Sequence, residues 1–131
     1  MKDVLINLIA VFVGGGIGAT LRYIATLGAK LMGFASLYST FGVNIIGCFV
    51  IGYIFALNLY KFEMLSPLLK LFLTVGILGA LTTFSTFNLE IFELIKTGKI
   101  SAGFCYLFSS CLFGLLATFL GYKLGILLIN N

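Results

Sequence analysis

The sequence predicts an all-α membrane protein of four transmembrane helices, the third of them broken near the middle of the membrane. Three observations carry that expectation. Of the 131 residues, 61% are apolar and 9% charged, against about 45–50% and about 25% in an ordinary soluble domain. The mean hydropathy is +1.20, and so few charges would leave the surface of a soluble fold largely apolar. The charged residues also divide the chain into four uncharged runs: Val4–Leu21 (18 residues), Leu31–Tyr60 (30), Leu71–Leu89 (19) and Ile100–Tyr122 (23). Each is long enough to cross a hydrocarbon core of about 30 Å, which takes about 20 helical residues.

The helices are placed at 4–29, 37–59, 67–95 and 100–127, within one transmembrane domain over residues 1–131. Lys2 before the first run resembles the start of a secretory signal. The run, however, exceeds the about 7–15 apolar residues of a signal core, and Arg22 stands where small residues would be wanted, so it reads as a retained helix. Within it, Gly14 and Gly18 form a GxxxG packing face, and Arg22 either snorkels to the interface or supplies positive potential at a vestibule. The apolar body of the second span, Ser39–Gly52, holds one strongly polar side chain, Asn44, among Gly42, Gly47 and Gly52, which permit close helix approach. An amide there serves equally as interhelical glue or as a substrate contact.

The third span carries the strongest signal. Five of the seven residues from Thr82 to Asn88 are polar, and the other two, Phe84 and Phe87, share one helical face at i,i+3. Gly76 and Gly79 followed by Thr82 and Thr83 make a poor continuous helix, so a break is expected near Gly79 to Thr83. Non-helical backbone at membrane depth is tolerated where it is buried in protein or lines a cavity. One or two hydroxyls would simply bond back to the preceding turn; this density points to a functional break. In the fourth span, Tyr106 and Ser110 share a face with Gly114 one turn on, a hydroxyl track or ordinary packing.

Composition narrows the function. No histidine is present, which removes imidazole bases, histidine zinc sites and Ser-His-Asp triads, and a non-enzyme is expected. Cys48, Cys105 and Cys111 form no CxxC pair and read as small hydrophobes rather than disulfide or metal partners. The basic residues Lys2, Arg22, Lys30, Lys61, Lys70, Lys96, Lys99 and Lys123 are scattered singly, which gives no nucleic-acid patch. With four spans they divide four and four between the two sides of the membrane, so the positive-inside rule has no preference. Such a chain can insert both ways and pair as an antiparallel homodimer; one dominant loop charge would instead fix a single orientation. No acid lies in the apolar body of spans 1, 2 or 4, and Glu90 and Glu93 fall late in span 3 near Lys96. Hydroxyls, an amide and ring edges suit an anion better than a cation.

The motifs resemble those of the Fluc (CrcB) fluoride channels: GGxxGAxxRY at Gly14–Tyr23, VNxxGxFxxG at Val43–Gly52 and GxxGxxTTFSTFxxE at Gly76–Glu90. That resemblance implies a dual-topology homodimer in a bacterial or archaeal inner membrane, with two fluoride pores and a structural sodium ion at the subunit interface. It implies that the backbone carbonyls of Gly79 and Thr82 hold the sodium. Phe84 and Phe87 would turn ring edges to fluoride, Asn44 would face the pore, and Ser85, Thr86, Tyr106 and Ser110 would supply hydroxyls. Arg22 and Thr40 match vestibule positions. Gly114 departs from the pattern, standing where a second hydroxyl is often found, and Ala80 stands where glycine is frequent. The function so implied is passive fluoride export. A small multidrug resistance exporter, the alternative, wants a glutamate in span 1 that this chain lacks; a non-transporting assembly subunit would give no flux.

Overall fold

The computed structural model describes residues 1–60 and 65–130; Lys61, one of the eight basic residues counted above, lies outside them. The described chain is all helical. Helix α1 spans Lys2–Leu31, α2 Ser36–Tyr60, α3 Pro67–Leu71, α4 Gly79–Leu81, α5 Phe84–Lys96 and α6 Ile100–Asn130, and a π-helical stretch, Phe72–Leu78, joins α3 to α4. Four lengths are long and apolar enough to cross a membrane: Lys2–Leu31, Ser36–Leu59, Pro67–Lys96 and Ile100–Ile129. Most large apolar side chains on α1 and α6 are exposed, as expected of helices whose solvent is lipid.

Local chemistry sets the ends. Ser66 caps α3 by accepting from the Leu69 amide at 3.2 Å, with Pro67 in the first turn where its missing N–H costs nothing. The α5–α6 turn is closed by Gly98 at φ +78°, with Gly98 N–H donating to Ile95 O (3.0 Å) and Lys99 N–H to Leu94 O (2.8 Å). That pairing is a Schellman closure, and its left-handed residue is one that glycine adopts without a Cβ penalty.

Two packing units organise the bundle, and α2 against α6 is the more extensive. A Cβ on Gly52 would strike the Thr118 carbonyl and one on Gly121 the Phe49 carbonyl, so the two backbones meet directly. The other unit sets α1 against the π-helical stretch: a Cβ on Gly18 would strike the Ile77 carbonyl, and one on Gly76 would lie 2.9 Å from Gly14 Cα. The GxxxG face therefore packs on the third span. Of the three glycines of span 2, Gly47 lies against Thr82 and Gly52 against α6, whereas a Cβ on Gly42 would meet open space.

The third span is the irregular one. Thr82 (φ −80°, ψ 151°) and Thr83 (φ −147°, ψ 124°) are extended, and the helix resumes at Phe84. Thr83 restarts it as N-cap, its Oγ1 accepting from the Thr86 amide at 3.3 Å.

Candidate functional site

The extended pair is held by a side chain from α2. Asn44 Oδ1 accepts from the Thr83 amide at 2.9 Å, and Asn44 Nδ2 donates to the Thr83 carbonyl at 3.2 Å. One carboxamide thus satisfies both main-chain groups of a residue that has left the helix, a requirement in a low-dielectric setting where unpaired amides are costly. Asn44 thereby links α2 to the interruption, and it also lines the cavity beside it.

The clamp and the Thr83 cap together change the state of two carbonyls. In a continuous helix the Thr83 amide would bond Gly79 O and the Thr86 amide would bond Thr82 O. Here the first donates to Asn44 Oδ1 and the second to Thr83 Oγ1. Gly79 and Thr82 therefore each lose their regular helix donor, while the Thr82 hydroxyl bonds back to Leu78 O at 2.8 Å. Two neutral oxygens released by unwound backbone are chemically suited to a hard monovalent cation.

Beside them lies a cavity of about 410 Å³, between α2, α6 and the third span. Its wall includes Asn44, Gly79, Thr82, Phe84, Phe87 and Ser110, and none of its described lining residues is charged. Phe87 is 6% exposed and Phe84 78%. Their ring centroids are 6.2 Å apart. The Ser110 Oγ is buried and has no hydrogen-bond partner among the described residues. It is a polar atom with its bonding capacity unused, which in a native interior marks a place for a water or an ion.

Five expected site residues, Arg22, Thr40, Ser85, Thr86 and Tyr106, lie outside this lining. Thr83 Oγ1 donates to Thr86 Oγ1 at 3.1 Å and stands 3.4 Å from Ser85 Oγ, so Ser85 and Thr86 belong to the cap of α5. Tyr106 and Thr40 are buried, and the Tyr106 ring packs T-shaped on Phe87 with centroids 5.0 Å apart. Both hydroxyls donate to one carboxylate: Thr40 to Glu90 Oε1 and Tyr106 to Glu90 Oε2, each at 2.9 Å. Glu90, placed late in span 3 by the sequence, is 7% exposed, a burial that the sequence does not announce. Thr40 follows the start of α2 by four residues and Tyr106 that of α6 by six, so the cluster lies roughly 6–9 Å inside that end of the bundle. Arg22 is near the same end. Its Nε is buried without a partner among the described residues, and its carbonyl accepts from Thr26 Oγ1, to which Ser39 Oγ donates at 3.2 Å.

The sequence of the chain is similar to those of known proteins. The family described as "CrcB-like protein, Camphor Resistance (CrcB)" matches residues 9–122. The "Fluoride-specific ion channel FluC" of Dehalococcoides mccartyi strain BAV1 is 42% identical over 119 residues, covering 90% of this chain and 91% of its own. The protein of that name from Phocaeicola vulgatus is 37% identical over 116 residues (88% and 94%). The one from Chloroflexus aurantiacus strain J-10-fl is 38% identical over 120 residues (91% and 94%). A family match across all four membrane-length helices, with relatives near 40% identity along nearly the whole chain, makes this multi-pass membrane protein a member of the CrcB family.

Proposed function

We propose that the chain forms a fluoride-selective channel that lets the ion leave the cell passively across a bacterial or archaeal inner membrane. The observation that carries this reading is the cavity: an unpartnered, buried Ser110 hydroxyl, the Asn44 amide and two phenyl rings, with no charge among the described lining residues. Fluoride is small and strongly hydrated, so its path must replace water with short hydrogen bonds. Hydroxyl and amide protons do so, and the positive edge of a phenyl ring adds to them. Neutral donors also release the ion readily, where a buried ammonium would retain it.

The functional unit is an antiparallel homodimer of dual topology, its interruption at Thr82–Thr83 set near mid-membrane. Supporting this, Phe84 is 78% exposed on one chain although it edges the cavity; a second copy would cover it and complete the wall. The Gly79 and Thr82 carbonyls would hold a structural sodium ion between the copies, and that ion adds positive potential beside the anion path. The released backbone oxygens described above fit that group. Thr40, Tyr106 and Arg22 would form the entrance at the Glu90 end.

Proteoliposomes loaded with fluoride test the reading. Purified protein is expected to release fluoride to an ion-selective electrode and to leave chloride trapped, with slower release when sodium is replaced by a large organic cation. Chloride release at the fluoride rate, or none of either, overturns it. Glu90→Gln offers a finer measurement. The amide can accept from only one of the two hydroxyls, and a lost hydrogen bond of about 1 kcal/mol corresponds to slower efflux by roughly fivefold. Glu90→Asp, which retains both acceptor oxygens, should be less affected.

A further inference from the structure

We propose that Cys48 and Cys111 form a two-thiol site for a soft, two-coordinate cation of the mercury(II) class, and that its occupation closes the cavity. The site rests on the channel reading for its effect on flux, but its existence rests on placement alone. Both cysteines line the cavity of about 410 Å³, Cys48 from α2 and Cys111 from α6. All three cysteines are free thiols. Cys48 Sγ lies 3.4 Å from where a Cβ on Gly114 would stand. Cys111 precedes Gly114 by one helical turn on the same helix, a spacing of about 5–6 Å between Cβ positions. Gly114 therefore opens the notch that Cys48 fills against α6. The departure from the hydroxyl pattern thus makes room for Cys48 on the wall that Cys111 also lines.

Coordination number sets the ligand class. Among the described residues no group of three or more Cys, His, Asp or Glu side chains comes together, so zinc, which needs four ligands or three and a water, is not favoured. Thiolates select soft ions, and a linear d¹⁰ ion is satisfied by two of them. Mercuric chloride is neutral and enters lipid. Each thiol gives its proton to water as mercury exchanges a chloride for sulfur, so two Hg–S bonds form, two protons and two chlorides leave, and nothing is oxidised. The bound ion then lies next to Ser110, in the space assigned to fluoride.

The test uses a Cys105→Ala background, which removes the third thiol, exposed elsewhere on α6. Purified protein is treated with mercuric chloride; intact mass, free thiols and fluoride efflux are each compared with the untreated sample. The expected mass gain is one mercury less two hydrogens per chain, with both thiols consumed, efflux lost and dithiothreitol restoring it. Adding Cys48→Ala or Cys111→Ala should raise the mercury needed for half-block by about a hundredfold, because a second tether multiplies affinity through effective concentration. Two singly attached mercury ions per chain, or unchanged sensitivity in both single variants, overturn the site. Untreated vesicles that release no fluoride sink the channel reading instead, and the mass result still decides the site.

Discussion

Phe87→Ile is expected to abolish fluoride efflux from proteoliposomes, a loss of at least about a hundredfold or near 2.7 kcal/mol of barrier, while the protein elutes from size exclusion as the parent does. Phe87 is the buried member of the ring pair, 6% exposed and packed edge-on against Tyr106 at 5.0 Å. That contact restrains the ring, whose edge in the proposed channel would face the anion path. Isoleucine retains most of the apolar burial, which protects the fold, but has no quadrupole and no positive edge to offer an anion. Volume and charge distribution are thereby separated. Phe87→Tyr, which keeps a ring, should retain measurable flux; parental flux in Phe87→Ile ends the ring-edge role.

Much of the frame was legible in the residues. Four uncharged runs specify four membrane-length helices because lipid forces the backbone to satisfy itself within each span. The Gly14/Gly18 face found its partner at Gly76 and Ile77, since small residues four apart leave a backbone able to approach another. The third span defeated periodicity for a physical reason. A π-helical stretch over Phe72–Leu78 and two extended threonines both shift the angular phase, so the face of α5 cannot be extrapolated from residues before it. Glu90 was hidden for another reason. It shares the one helix α5 with Glu93 and Lys96, and only the packing of α2 and α6, which brings two hydroxyls to it, makes it a buried acid. The two cavity cysteines were equally hidden, because each alone reads as a small apolar residue and only the α2–α6 contact brings them to one wall.

Asn44→Leu is the second substitution with a large expected effect: loss of fluoride flux by about a hundredfold together with loss of its sodium dependence. Leucine preserves approximate volume but removes both partners of Thr83, whose amide and carbonyl rely on Asn44 at 2.9 and 3.2 Å. Leaving each unpaired away from water costs about 1–3 kcal/mol. The nearest remedy for the amide is the Gly79 carbonyl four residues back, the regular helical bond. Accepting it closes the helix across Thr82–Thr83, consumes an oxygen proposed to hold sodium and rotates Phe84 and Phe87 away from the cavity wall. Asn44→Ser separates this consequence from simple misfolding. A hydroxyl can accept from the amide or donate to the carbonyl, but it is shorter than the carboxamide and cannot bridge both with the same geometry, so flux between that of the parent and that of Asn44→Leu is expected. Amide hydrogen exchange at Thr83 reports the clamp directly: faster exchange is expected in Asn44→Ser, where the clamp is weakened, whereas in Asn44→Leu the amide taken up by the Gly79 carbonyl stays protected. Parental flux in Asn44→Leu would mean that the interruption holds itself open, and that α2 contributes packing alone.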